Sequence, residues 1–236
     1  MPRLAVDLHI HSALSPCADD EMTPCNIANM AFLKGLDAIA VTDHNACDNV
    51  AAVTEAAGDR LLVIPGMEIQ TEEEVHILAY FRTLGDALSF SDEIRGHLPG
   101  IPNRPELFGH QWIMDAEDNM VGERADMLLT STDLSLDETV ALIREKGGIA
   151  VPAHVDRDSY SILSQLGFMP RHLPFTSIEV SHGGVNPLGD EWRILTSSDA
   201  HRLGDILERE SFIDVPEKDV DSILAWIGDG ALNKGN

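Results

Sequence analysis

Four short motifs carry side chains that bind transition metals: Asp7-Leu8-His9-Ile10-His11, Thr42-Asp43-His44, Pro152-Ala153-His154 and Ser198-Asp199-Ala200-His201. Each follows an apolar, β-branched run that reads as a strand. Imidazole and carboxylate together suit Zn²⁺, Mn²⁺ or Fe²⁺ better than Ca²⁺ or Mg²⁺. Placed at the ends of successive strands, such groups can converge on one point. The pattern predicts a metal cluster and, with it, hydrolysis.

His9 and His11 are two apart, so at a strand end both rings reach one side. Asp199 and His201 repeat that spacing near the far end of the chain. Glu68 follows Pro65-Gly66-Met67. A carboxylate has two oxygens and can bridge two ions, whereas a neutral imidazole offers one lone pair, so Glu68 is the best bridge. His76 lies in the apolar run Val75-His76-Ile77-Leu78, where a histidine is more often a satisfied core residue. His182 also follows a strand and is a candidate to touch substrate. Arg157 and Arg202 stand shortly after His154 and His201. Either is a candidate to hold an anionic substrate group, which the guanidinium fork matches; a rim salt bridge is the competing role for each.

The elements that must position these groups alternate. Strands are expected at Leu4 to His9, Asp37 to Thr42, Leu61 to Ile64, Val75 to Phe81, Ile149 to Val151, Ser177 to Ser181, Ile194 to Thr196 and Ser211 to Val215. Thr23-Pro24 reads as a helix start, with Thr as cap and Pro in the first turn. Ser135 to Glu138 is a capping box. Helices are also expected over Asn49 to Ala57, Asp86 to His97 and Val220 to Ile227, the last with apolar residues at i, i+3, i+4 and i+7. Strands separated by helices predict a parallel sheet closed into a barrel, its active site at the C-terminal strand ends. The stretch from Leu98 to Gly122 shows no regular pattern, and residues 98–130 read as an insertion or lid.

The chain has 236 residues, 44% of them hydrophobic and 5% aromatic. A single domain over 1–236 is expected, its core filled by aliphatic side chains. The formal charge of −24, from 40 acidic and 16 basic residues, makes long nucleic acid an unfavourable partner. Cys17, Cys25 and Cys47 form no disulfide framework, which points to a reducing, cytoplasmic setting. No signal peptide and no membrane span are expected.

The motifs as a set resemble the PHP (polymerase and histidinol phosphatase) family: HxH at 9–11, TDH at 42–44, Gly-x-Glu at 66–68, histidines at 76 and 154, and DxH at 199–201. The resemblance implies an α/β fold, a distorted (β/α)7 barrel, with two or three divalent ions (Zn, Mn or Fe). It implies one ion on His9, His11, Glu68 and Asp199, a second on Glu68, His76 and His154, and a third on His44, His201 and a loop residue. The family commonly has Asp or His five or six residues after HxH. Here Pro16 and Cys17 stand there, leaving Cys17, Asp19 or Asp20 as the loop ligand. Glu68, His154 and Asp199 are the implied catalytic residues, and a small phosphomonoester or nucleotide-end phosphate the implied substrate. Two rivals are a noncatalytic metal-binding module of the family and a metal-dependent amidohydrolase. The latter group shares HxH but lacks TDH and the terminal DxH.

Overall fold

A computed structural model describes residues 1–228. The first half runs β1 (Arg3–Ile10), α1 (Pro24–Leu33), β2 (Ala38–Val41), α2 (Val50–Ala57), β3 (Leu62–Gln70), β4 (His76–Tyr80) and α3 (Leu84–Gly96). Then come α4 (Pro105–Phe108), β5 (Trp112–Met114), β6 (Met120–Glu123), α5 (Leu136–Glu145), β7 (Ile149–Pro152), α6 (Ile162–Leu166), β8 (Ser177–Ser181), β9 (Arg193–Ser197), β10 (Phe212–Asp214) and α7 (Val220–Gly228). The cap signals act as expected. The Thr23 side chain accepts from the Asn26 N–H, and Ser135 and Glu138 close a reciprocal capping box.

Six strands form one curled sheet in the order β10-β1-β2-β3-β4-β7, and β8 pairs with β9. The two pieces meet at the end that carries the motifs. The Val155 N–H donates to the Glu179 carbonyl at 2.9 Å, and the His11 N–H to the Ala200 carbonyl at 2.9 Å. Seven strands (β1, β2, β3, β4, β7, β8, β9) thus surround one interior, a distorted α/β barrel.

The sheet is mixed rather than parallel throughout. β1, β2 and β3 are parallel, but β4 runs antiparallel to both β3 and β7, and β10 antiparallel to β1. The cause is chain length. Thr71 to Val75 joins β3 to β4, and a parallel crossover needs about a dozen residues or more. β3 also runs on past the expected Ile64: it pairs with β2 through Pro65, then with β4 from Gly66 to Gln70.

Alternation sorts the side chains into two layers. Ala38, Ala40, Ile64, Leu78, Tyr80 and Val151 pack inside the barrel, while Ile39, Val41, Val63, Met67, Ile69 and Ile77 pack outward with α1 and α2 residues such as Ile27 and Val53. Glu68 shares the inward parity of Ile64, and His76 that of Leu78. In β1 the register shifts between Asp7 and Ile10. Ala5 and Ile10, five apart, therefore pack in the same outer layer. Such a bulge re-aims neighbouring side chains.

Gly66 sits where β3 changes partner. A Cβ there would lie 2.8 Å from Thr42 Cγ2 and 3.2 Å from the Ala79 carbonyl. Gly66→Ala is expected to lower stability by about 1–3 kcal/mol through overpacking. Denaturant melts check this; an unchanged midpoint contradicts it.

The segment 98–130 has more structure than its composition suggests. β5 and β6 form a hairpin whose turn is built on the Asp115 carboxylate, an acceptor for the Glu117 and Asn119 N–H groups. The segment is tied to the loops after β1 and β2. The Trp112 N–H donates to the Ala13 carbonyl, Asn49 brackets Trp112 and Met114, and the Asn45 amide donates to the Leu128 and Thr130 carbonyls. No helix among the described residues is long and apolar enough to cross a membrane.

Candidate metal centre

The motif-bearing strand ends converge on Glu68, which is 1% exposed. Its Oε1 lies 2.8 Å from His76 Nδ1, 3.2 Å from His154 Nε2 and 3.4 Å from His9 Nε2. Its Oε2 lies 3.1 Å from His44 Nδ1 and 3.4 Å from His11 Nε2. Asp199 Oδ1 stands 3.0 Å from His11 Nε2, 3.2 Å from His9 Nε2 and 3.6 Å from His201 Nδ1. Eight predicted residues thus meet in one place: His9, His11, His44, Glu68, His76, His154, Asp199 and His201.

A surrounding layer of bonds sets which ring nitrogens face inward. His9 Nδ1 lies 3.0 Å from both oxygens of Glu179, an acceptor, so Nδ1 carries the proton and Nε2 presents a lone pair. The Ser15 hydroxyl donates to Asp43 at 2.7 Å, so towards His11 Nδ1, 3.1 Å away, it accepts. His11 Nε2 is therefore also a lone pair. The two nitrogens stand 3.1 Å apart, facing Asp199 Oδ1, which has no hydrogen-bond partner, and Glu68. With both rings neutral, as metal binding requires, four acceptors share one space with no donor among them. A cation satisfies them all at once; a proton satisfies one pair. The donor set fits a divalent ion by this test.

Without an ion, the same carboxylates draw protons onto the rings instead. Burial opposes protonation of His9, yet the carboxylates of Glu179, Asp199 and Glu68 raise its pKa well above the ordinary value. Burial likewise opposes the charged forms of His11 and His44, but Asp199 and Glu68 lift His11, and Glu68 lifts His44 against the nearby His11, each to about 9. Burial would raise Glu68, but the surrounding histidines, His76 foremost, hold it well below the carboxylate range. Burial and the positive His11 push His201 down to about 3, so its ring is neutral and free to donate a lone pair.

Metal-free protein should lose stability in alkali. A raised histidine pKa contributes stability that is complete below about pH 6.5 and is lost as pH rises through about 9. The depressed Glu68 contributes above its unfolded value and loses that in acid. Chelated protein should therefore melt about 5 °C or more lower at pH 9 than at pH 6.5, whereas metal-loaded protein shows no such fall. Melting curves with and without chelator decide; parallel pH profiles contradict it.

Three sets of ligand atoms, each within 4.8 Å of one another, occur among the described residues: His9, His11, Glu68 and Asp199; His44, Glu68 and His76; and His11, His44 and His201. The first matches the expected set. In the second, His44 stands where His154 was expected, although His154 Nε2 still reaches Glu68. In the third, His11 joins His44 and His201 in place of a loop residue. Of the loop candidates, Cys17 is exposed and lines the cavity beside His44, while Asp19 pairs with Arg202 and Asp20 accepts from the Trp112 indole.

The cavity over the cluster measures about 270 Å³. Arg157 lines it, its guanidinium on Asp199 Oδ2 and, through Nε, on the Ser181 hydroxyl. Arg202 and His182 lie outside it. Arg202 is 72% exposed and reaches Asp19, because it follows His201 in extended backbone, where neighbouring side chains point to opposite sides. His182 pairs with Glu210 in a separate cavity between β9 and β10. His97, His110 and His172 each pair with a surface carboxylate.

Three carboxylates that position the cluster are not among the site residues read from the sequence. Glu179 holds His9 and also accepts from the His154 N–H at 2.9 Å. Its signal was an acid between Ile178 and Val180 in an apolar strand. Asp43 accepts from the Ser12 N–H and from the hydroxyls of Ser12 and Ser15. Asp7 accepts from the Ser198 N–H and hydroxyl and from the Leu207 N–H, bracketing the loop that carries Asp199 and His201. His154 (φ 27°) and Asp199 (φ 53°) adopt left-handed backbone, a local strain that often accompanies functional sites.

The fold recurs in solved structures. The lesion-specific endonuclease Q of Pyrococcus furiosus matches with a TM-score of 0.66 and 19% identity over 96% of this chain and 56% of that one. Endonuclease Q bound to a 27-mer duplex with an abasic lesion matches at 0.65 and 18%, over 95% and 56%. A candidate metal-dependent phosphoesterase of Bifidobacterium adolescentis matches at 0.60 and 20%, over 98% and 99%. The chain thus spans little more than half of the endonuclease chains and nearly all of the third. Among curated proteins none matches. The PHP domain model matches residues 7–151, more than half of the chain, and the chain belongs to the PHP domain family.

Proposed function

We propose that this chain is a hydrolase, a metal-dependent phosphoesterase that cleaves a small phosphomonoester or a phosphate at a nucleotide end. The observation that carries the reading is the donor-free meeting of His9 Nε2, His11 Nε2, Asp199 Oδ1 and Glu68. His9, His11, Glu68 and Asp199 would hold one ion, Glu68 with His76 and His44 or His154 a second, and His44, His201 and Cys17 or His11 a third. Such ions supply Lewis-acid stabilisation of phosphoryl oxygens and a nucleophile from water near neutral pH.

The chain's own residues do the rest. Glu68 presents one oxygen to each side of the cluster and is the bridge. Asp199 and His154 complete the catalytic set. Arg157, 40% exposed at the cavity, can turn its fork from Asp199 to an arriving phosphate. Segment 98–130 is strapped to two site loops of the single barrel domain and contributes Leu129 to the cavity wall. The odd count of three cysteines is the basis for a reducing, cytoplasmic setting.

The endonuclease likeness raises DNA as a rival substrate. A net charge of −24 with 16 basic residues argues against long polyanions. The test is elemental metal analysis combined with a panel of phosphomonoesters, nucleotides, an abasic duplex, amides and lactones, each with Mn²⁺ and Zn²⁺. Turnover of small phosphate esters is expected. Turnover of amides or lactones alone would make the chain an amidohydrolase, cleavage of the duplex alone a nuclease, and no turnover in metal-loaded protein a binding module.

A further inference from the structure

Tyr160 is the bulkiest of the described non-glycine residues held at positive φ, at 56°. A large side chain there costs of order 1–3 kcal/mol, and such outliers cluster at functional sites. Its backbone explains the conformation but not the side chain. The Tyr160 carbonyl accepts from the His76 N–H at 2.8 Å, and the Ser161 hydroxyl closes the same turn on the Arg157 carbonyl at 2.7 Å. Glycine or asparagine would deliver that carbonyl with less strain.

Burial does not offset the strain either. Tyr160 is 42% exposed, whereas Tyr80, the other tyrosine, is fully buried. The Tyr160 ring stacks on His76, centroids 4.8 Å apart and planes 17° from parallel. It also lines the cavity over the cluster, where it and Leu129 supply the large apolar side chains beside Arg157. At about 270 Å³ the cavity is slightly smaller than a drug-sized pocket. The turn therefore holds an aromatic surface rigidly at the mouth of a small site.

We propose that Tyr160 determines substrate specificity: its ring stacks against a planar ring on the organic side of the phosphate ester, continuing the stack begun on His76. The inference rests on the phosphoesterase reading and adds the substrate class, small aryl or heteroaryl phosphates over aliphatic ones. Arg157 holds the phosphate while Tyr160 selects the group attached to it.

Binding of two non-hydrolysable probes to Mn²⁺-loaded protein tests this without turnover. Phenylphosphonate and cyclohexylphosphonate differ mainly in planarity. Wild type should bind the phenyl compound about 2- to 12-fold more tightly, the span expected of an aromatic pair. Tyr160→Phe should keep that preference. Tyr160→Asn, which tolerates the left-handed backbone and keeps the carbonyl bond to His76, should abolish it. Equal binding of both probes by wild type, or a preference that survives in Tyr160→Asn, overturns the role of Tyr160 alone. Failure of both probes to bind overturns it together with the phosphoesterase reading.

Discussion

Glu68→Gln is expected to lower kcat/KM on phosphate esters by about 10³-fold or more and to remove at least one ion per chain. The amide has nearly the shape of the carboxylate, so packing of β3 against β4 changes little. What changes is charge and lone pairs. Glu68 faces five histidines through two oxygens, Oε1 towards His9, His76 and His154, and Oε2 towards His11 and His44. Glutamine keeps one oxygen and turns an NH₂ towards rings that the surrounding bonds have set as acceptors. Losing several kcal/mol of charge stabilisation, at 1.36 kcal/mol for each tenfold, gives the stated loss. Elemental analysis beside steady-state kinetics reads both effects. A variant with full metal content and activity within about tenfold of wild type contradicts the bridging role.

Glu179→Ala is expected to weaken metal binding by about 10- to 100-fold, although Glu179 belongs to none of the ligand sets. Its carboxylate fixes the His9 tautomer and accepts from the His154 N–H. Without it, His9 is free to move its proton to the inward nitrogen. Two buried donors also lose their acceptor, at about 1–3 kcal/mol each. Glu179→Gln retains an acceptor and should fall between alanine and wild type. Competition with a chromophoric chelator measures the affinities; alanine binding as tightly as wild type contradicts the positioning role.

Much of the site was legible in the chain because its ligands sit at strand ends that apolar runs announce. His9 with His11, and Asp199 with His201, declare themselves by spacing, and Glu68 by its two oxygens. His76 looked like a core residue, yet the inward parity it shares with Leu78 places it on the cluster. Less legible was what depends on distant pairing. Val75 to Phe81 reads as a strand, but its antiparallel direction comes from a connection too short to cross over. Pro65-Gly66 reads as a strand end, yet it marks a change of partner within one strand. Glu179 is a single acid among aliphatics, and only the fold brings it beneath His9. Arg157 and Arg202 are alike as sequence, but the turn closed by the Arg157 N–H on the His154 carbonyl brings Arg157 to the cavity, while Arg202 follows His201 in extended backbone and lies outside it.

Anomalous diffraction from crystals loaded with Mn²⁺ tests the convergence of these ligands most directly. At least two metal peaks in contact with Glu68 are expected, one of them shared with His9, His11 and Asp199. A map without peaks at Glu68 from protein shown to carry the metal, or peaks only at surface carboxylates, would contradict it.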